Sequence, residues 1–136
     1  IEAESDRLDL NDRVHLPGIV DDPGKVVGLF DIFALSSDSE QFPLSVVEAM
    51  AAGRPVVAPE IGDIARIVAE ENLPYLAAAA EEEAIGEALV ALANDAKLRD
   101  RVGKANRAKA RAQFDADRMI AAYRRLYSSA MHGFDL

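Results

Sequence analysis

A chain of 136 residues, 50% of them hydrophobic, is long enough to fold as one domain with its own core. It has no cysteine, which excludes disulfide bonds, thiolate metal sites and a cysteine nucleophile. The formal net charge is −9, and no basic stripe accompanies a base-reading motif, so we expect no nucleic-acid partner. No apolar run has the length of a membrane span and no signal peptide is visible, so we expect a cytoplasmic protein.

The first part of the chain predicts two short helices and one short strand. Residues 1–9 are acidic and helix-like, and a turn follows at residues 10–12. Residues 14–16 predict a short strand, ended by proline and glycine, in which we expect His15 to be packed. Asp22 and Pro23 then predict the start of a second helix. Its apolar positions are Val26, Val27, Leu29 and Phe30.

Two apolar segments, residues 32–35 and 56–58, predict neighbouring parallel strands. Neither segment alternates with polar residues, as is typical of parallel strands covered on both faces. Between them, Pro43 suits the first turn of a helix, and Gly53 suits the left-handed position just after a helix ends. The sequence therefore predicts a strand–helix–strand crossover within an α/β fold, a Rossmann-like parallel sheet flanked by helices.

The loop and helix start between these strands carry the residues with ligand chemistry. In open parallel sheets, ligands bind beyond the carboxyl ends of the strands, where helix N-termini also point. Backbone N–H groups of residues 42–45 suit a phosphate, and the carboxylates of Glu40 and Glu48 accept hydrogen bonds from sugar hydroxyls. This pattern indicates a phosphorylated, polyhydroxylated ligand. An alternative left open by the spacing is that Glu40 caps the helix and Glu48 is a solvated helix acid.

Residues 37–58, which follow the pattern S-x-x-E-x-F-P-L-x-x-x-E-A-M-A-A-G-x-P-V-V-A, resemble the donor-binding segment of family 4 retaining glycosyltransferases with the GT-B fold. The resemblance implies transfer of a sugar from a nucleotide-diphosphate sugar, with neither a metal ion nor another cofactor. It also implies that Glu40, the catalytic candidate, contacts the donor sugar or its phosphate region. Glu48, eight positions later, would hydrogen-bond the ribose hydroxyls.

The same resemblance implies the remaining donor contacts. The loop at residues 18–20 would face the nucleobase, and the amides of residues 42–45 would face the sugar and diphosphate. The candidate substrate-binding residues are Glu48, Ser39, Phe42, Pro43, Leu44, Ser45, Gly18, Ile19 and Gly62. The chain departs from the family at Gln41, where glycine is usual, and after Gly62, where Asp63 and Arg66 stand in place of a glycine and a glutamate. Arg66 could pair with a phosphate or with Asp63, and a surface ion pair is the simpler interpretation.

The second half of the chain predicts one more strand and three helices. Residues 73–76 predict a short strand, and residues 77–80 with the following glutamates predict a helix start, with Ile85, Leu89 and Leu92 at helical spacing. A further helix is predicted from about Lys97 to Phe114, with Leu98, Val102 and Ala105 inward. Asp115 suits the N-cap of a final helix with Ile120, Tyr123 and Tyr127 on one side. That helix resembles the family's C-terminal helix, which crosses back toward the N-terminal domain.

The resemblance identifies residues 1–136 as the C-terminal, nucleotide-sugar donor-binding domain, incomplete at its N-terminal side and with three or four strands. The family's Arg–Lys segment and acceptor domain have no counterpart upstream of Ile1, so we expect the chain alone to be inactive. The expected partners are a nucleotide sugar and an acceptor saccharide or lipid bound by the absent domain. An alternative function is a non-catalytic module that binds nucleotides or phosphosugars.

A basic segment lies in the last third of the chain. Residues 97–125 hold ten Lys and Arg against three Asp. Such a segment could meet an acidic partner or the anionic inner face of a membrane. The simpler interpretation is the solvated face of a helix, which is where charge runs of this kind are usually found.

Overall fold

A computed structural model describes residues 1–78 and 81–132. We number its helices and strands in chain order. They are α1 (Glu2–Arg7), α2 (Pro23–Val27), β1 (Phe33–Ala34), α3 (Leu44–Ala51), β2 (Val56–Pro59), α4 (Ile64–Ile67), a 3-10 helix (Glu70–Tyr75), β3 (Leu76–Ala77), α5 (Glu82–Asn94), α6 (Ala96–Gln113) and α7 (Ala116–His132).

The sheet has three parallel strands in the order β1–β2–β3. Phe33 lies opposite Val56 in the first pair, and Ala58 lies opposite Leu76 in the second. All four residues of the central strand β2 are buried, as expected for a parallel strand covered on both faces. The predicted α/β fold, a parallel sheet flanked by helices, is confirmed.

Helix α3 is the crossover between β1 and β2 and forms the centre of the core. Its residues Val46, Ala49 and Met50 are fully buried and pack with Ile64 and Ile67 of α4. Gly53 follows the helix with φ +75°, which confirms the predicted left-handed helix end. Pro43 lies one position earlier than predicted, at the N-cap, where its fixed φ of −69° leads into the first turn.

Helix α6 packs against α3 at close range. A Cβ atom at Gly103 would stand 2.1 Å from the carbonyl oxygen of Gly53, so only glycine permits this approach. Val102, beside it, is fully buried, as predicted for the inward face. The N-cap predicted at Asp115 is confirmed, since its carboxylate accepts a 3.0 Å hydrogen bond from the backbone N–H of Arg118.

The strand predicted at residues 14–16 is wrong. The backbone N–H of Val14 is already committed to a turn, donating to the carbonyl of Leu10 at 2.9 Å, and Pro17 has no N–H to offer a ladder. These residues pair with no strand in the described part of the chain. His15, expected to be packed in that strand, is exposed.

The prediction for residues 73–76 is also wrong for most of its length. Residues 70–75 form the 3-10 helix, and strand β3 begins only at Leu76. Pro74 lies inside the 3-10 helix and lacks the N–H that a ladder needs. The predicted helix start at residues 77–80 is displaced, because Ala77 belongs to β3 and α5 begins at Glu82; residues 79 and 80 lie outside the described part.

Helix α7 presents an apolar stripe to solvent. Its large hydrophobic side chains are 43–75% exposed, and Tyr127 is 65% exposed. The exposed members are Met119, Ile120, Tyr123, Leu126, Tyr127 and Met131. The face predicted from Ile120, Tyr123 and Tyr127 therefore exists, but it is not covered by residues that the structure describes. Among the described helices, none is long and apolar enough to cross a membrane.

Candidate functional site

The loops that follow β1 and β2 meet at the carboxyl edge of the sheet. The backbone N–H of Asp63 donates a 2.8 Å hydrogen bond to the carbonyl of Gln41. Gly62 has φ +54°, and a Cβ atom there would stand 2.3 Å from the carbonyl oxygen of Glu40. Gly62 and Glu40, predicted separately as site residues, are thus brought together by direct backbone packing.

The residues of the loop that follows β1 differ in burial. Glu40 is half-buried, whereas Ser39 beside it is exposed. Phe42 packs edge-to-face on Phe114 at the end of α6, with 5.7 Å between ring centroids. The aromatic contact anchors the loop just before α3 begins, so the position of Glu40 depends on α6 as well as on the sheet.

The start of α3 offers backbone donors. Pro43 is buried at the N-cap, and Leu44 and Ser45 form the first turn. The first N–H groups of a helix have no acceptor within the helix, and the helix dipole gives this end a partial positive charge. The structure therefore places the amides of Leu44 and Ser45 where an anionic group could be bound.

A cavity of about 530 Å³ lies beside the same helix. Ser45 and Glu48, one helical turn apart on α3, form its polar side. The other lining residues come from the segment before α2, from α2 itself and from β1: His15, Pro17, Val20, Pro23, Val26, Val27, Phe30 and Phe33. The cavity thus joins one carboxylate and one hydroxyl to an apolar wall, within the size range of small-molecule sites.

Of the predicted site residues, only Ser45 and Glu48 line this cavity. Gly18 and Ile19 lie on the segment that borders it but not on its wall; Ile19 is 96% exposed, and Gly18 has φ +73° with open space where a Cβ would stand. Sequence reasoning missed the apolar wall as a binding feature. The apolar spacing of α2 indicated burial but could not show that one side of this packing stays open.

Two cations, Arg66 and Lys109, are held by local partners near the loop of Gly62. Asp63 and Arg66 form the expected surface pair, with 3.3 Å between Nη1 and Oδ1. Lys109 of α6 donates to the carbonyls of Arg66 and Val68 at 2.6 and 2.7 Å, which satisfies the free carbonyls at the end of α4. Within residues 1–78 and 81–132, no group of three or more His, Asp or Glu side chains is placed to hold a metal ion.

Solved structures share this fold. A sucrose-phosphate synthase from Thermosynechococcus elongatus aligns with a TM-score of 0.79 and 25% identity, over 94% of this chain and 34% of that chain. The C-terminal domain of a glycosyl transferase group 1 family protein from Francisella tularensis aligns with a TM-score of 0.71 and 22% identity, over 85% of this chain and 60% of that one. The fold is that of GT-B glycosyltransferases.

Residues 1–95 match the family described as glycosyl transferases group 1, and the chain belongs to that family. The resemblance to family 4 glycosyltransferases is thereby confirmed. A phosphatidyl-myo-inositol mannosyltransferase from Mycobacterium leprae is 32% identical over 88% of this chain and 33% of its own length. An N-acetyl-alpha-D-glucosaminyl L-malate synthase from Bacillus anthracis is 26% identical over 88% of this chain and 32% of its own. The chain spans about a third of the length of these curated relatives.

Proposed function

We propose that residues 1–136 form the C-terminal, nucleotide-sugar donor-binding domain of a retaining GT-B glycosyltransferase. The observation that carries the proposal is the cavity in which Glu48 and Ser45 of α3 face an apolar wall from residues 15–33. A nucleoside has matching chemistry, because its base is flat and apolar on both faces while its ribose carries two hydroxyls.

In this proposal the apolar wall binds the base and Glu48 binds the ribose. Val20, Val26 and Phe30 offer hydrophobic surface to the base, and His15 at the rim offers a ring for stacking or a hydrogen bond. The Glu48 carboxylate accepts hydrogen bonds from both ribose hydroxyls, and bonds to a charged acceptor are the strong ones. Gly18 and Ile19 contribute backbone groups at the open side of the base.

The diphosphate and the sugar then extend toward the carboxyl edge. The first-turn amides of Leu44 and Ser45 receive the phosphate oxygens. Glu40, fixed beside Gly62, contacts the donor sugar. When the glycosidic bond to the diphosphate breaks, negative charge grows on the leaving group, and donors already oriented at the helix start stabilise it without reorganising. Backbone around Ser39, Phe42 and Pro43 shapes this part of the site.

The acceptor, a saccharide or lipid, is bound in this proposal by a part of the enzyme outside residues 1–136. Two observations support this. The relatives with matching sequence are about three times longer than the matched part. The stripe of exposed apolar side chains on α7 suits contact with a further domain, since single-sided apolar helices are normally covered.

Calorimetry on the complete natural polypeptide tests the donor site. Glu48→Ala should weaken binding of the nucleotide sugar by about 1.5–3 kcal/mol, the range for hydrogen bonds to charged groups. Discrimination against 2′-deoxy donors should fall with it, because the lost partner is the ribose hydroxyl pair. Glu87→Ala, which removes an exposed acid from α5, is the matched control and should leave donor affinity unchanged. Unchanged affinity in Glu48→Ala would contradict the assignment.

A further inference from the structure

A second cavity, which is polar and has a volume of about 400 Å³, lies at the edge of the sheet opposite the loops of Glu40 and Gly62. Asp31 lies two residues before β1 and Pro55 lies directly before β2, and both line the cavity, so this is the amino edge of the sheet. The donor cavity shares no lining residue with it, and the loops of Glu40 and Gly62 lie at the carboxyl edge. A ligand bound here would therefore not overlap with the proposed donor.

The cavity is rich in cationic side chains. Its charged lining consists of Arg54, Arg99, Lys104, Arg107, Asp31 and Asp100. Two of the four cations pair with these carboxylates: Lys104 with Asp100 at 2.6 Å, and Arg99 with Asp31 at 3.8 Å. In the described part of the chain, Arg54 and Arg107 have no carboxylate partner. The cavity therefore has a surplus of two positive charges.

Arg54 supplies an independent observation. Its Nη2 donates to the carbonyl of Gly28 at 2.6 Å, which fixes the guanidinium, yet its Nε is buried without an acceptor among the described residues. A buried donor without a partner is costly, and a charged one more so. An anion bound in the cavity would supply negative charge, and acceptor atoms, beside this guanidinium.

The two helix ends at the cavity have opposite partial charges, so the side chains determine its net charge. Ala96, the first residue of the 18-residue helix α6, lines the cavity and brings the positive end of a helix dipole to it. Ala52 and Gly53 bring the negative end of α3, which offsets that contribution. The stem of Arg107 passes over Gly53, 3.6 Å from the point where a Cβ would stand, and this contact holds its side chain at the rim.

We propose that this cavity binds a phosphate group, either free or carried by a small molecule, at a site separate from the sugar donor. Guanidinium groups match phosphate geometry because their N–H groups form a planar fork. Two unpaired arginines with a flanking lysine suit a dianion better than a single carboxylate. The volume also exceeds what a lone ion needs and falls in the range for small-molecule ligands.

Amide NMR of the complete natural polypeptide, titrated with inorganic phosphate, tests the site. Saturable shifts should appear at Gly53, Ala96 and their neighbours and persist when the donor cavity is filled with a nucleoside, which carries no phosphate. Arg107→Gln should weaken phosphate binding about tenfold or more, as expected for loss of a charge-assisted hydrogen bond. A parallel titration with glycerol 3-phosphate shows the source: tighter binding of the ester assigns an organic phosphate, and equal binding assigns the free ion.

Arg101→Gln is the matched control, because it removes the same charge from an exposed position of the same helix that does not line the cavity. Its phosphate affinity should stay within about twofold of the unmodified protein. Three results would overturn the proposal: no saturable shift at the amino edge, shifts confined to Ser45 and Gly62, or equal losses in Arg101→Gln and Arg107→Gln. Equal losses in the two variants would mean that phosphate is attracted to the whole basic helix α6 and not to this cavity.

Discussion

The side-chain nitrogen of Asn106 donates a 2.8 Å hydrogen bond to the side-chain oxygen of Asn72, and both residues are fully buried. Asn72 also exchanges two 2.8 Å hydrogen bonds with the backbone of Val56, at the start of β2. Asn106 accepts from the N–H of Ala69 and donates to the carbonyl of Arg54, both at 3.0 Å. The pair thus joins α6, the 3-10 helix and the central strand, and each side-chain oxygen and nitrogen of the pair has a hydrogen-bond partner.

The Asn106→Ala variant should lower the free energy of unfolding by about 2–3 kcal/mol, because it leaves buried backbone groups of Ala69 and Arg54 without partners. Asn94→Ala, at the exposed end of α5, is the matched control and should change stability by no more than about 0.5 kcal/mol. Urea unfolding with the same m-value in both variants measures the difference. Equal stability of the two variants would show that the network contributes nothing beyond exposed polar contacts.

This network shows why part of the fold could not be predicted. Asn72 and Asn106 are 34 positions apart, and an asparagine inside a polar helix carries no sign of burial. By contrast, the strand–helix–strand unit depends on local signals: unbroken apolar runs at Val56–Pro59, a proline before α3 and a glycine after it. Those signals act within a few residues, so the sequence alone was sufficient there.

A second prediction concerns the close approach of α3 and α6. Gly103→Ala places a Cβ 2.1 Å from the carbonyl oxygen of Gly53, and neither backbone can move without opening the core. We expect destabilisation of about 3 kcal/mol or more, as for overpacked cores. Gly86→Ala, inside α5 with open space around it, should instead stabilise by about 0.5–1 kcal/mol. Thermal unfolding of both variants checks the sign; a stable Gly103→Ala protein would contradict the packing described.

A third prediction separates backbone strain from loop contact at the carboxyl edge. Gly62 and Gly18 both have positive φ, so alanine strains either one by about 1 kcal/mol. Only at Gly62 does the new Cβ meet another loop, at Glu40. The free energy of unfolding of Gly62→Ala should therefore be lower than that of Gly18→Ala by about 1–3 kcal/mol. Denaturant titration of the two variants compares them, and equal losses would mean that the loops do not touch.

The candidate site was only partly predictable, for a physical reason. Glu48 and Ser45 could be placed because both lie on one helix whose start is marked in the sequence. Part of the wall opposite them comes from the segment before α2, in which residues 14–16 wrongly predicted a strand. A strand forms only with a partner strand beside it, and the apolar pattern of those residues does not say whether one is present. That segment instead contributes His15, Pro17 and Val20 to the wall of the cavity.

The last prediction distinguishes the two glutamates, and it depends on the proposed donor site. Glu40 lies in the loop at the strand end, apart from the cavity that Glu48 lines, so its partner should be the sugar and not the nucleoside. Glu40→Gln in the complete natural polypeptide should lower kcat about a hundredfold, the effect of a misplaced reacting group, and change nucleoside diphosphate affinity less than about twofold. Glu48→Gln should instead weaken nucleoside diphosphate affinity more than it lowers kcat. Transfer rates and calorimetry on both variants measure this, and a Glu40→Gln protein that binds free nucleoside diphosphate as poorly as nucleotide sugar would exclude the assignment.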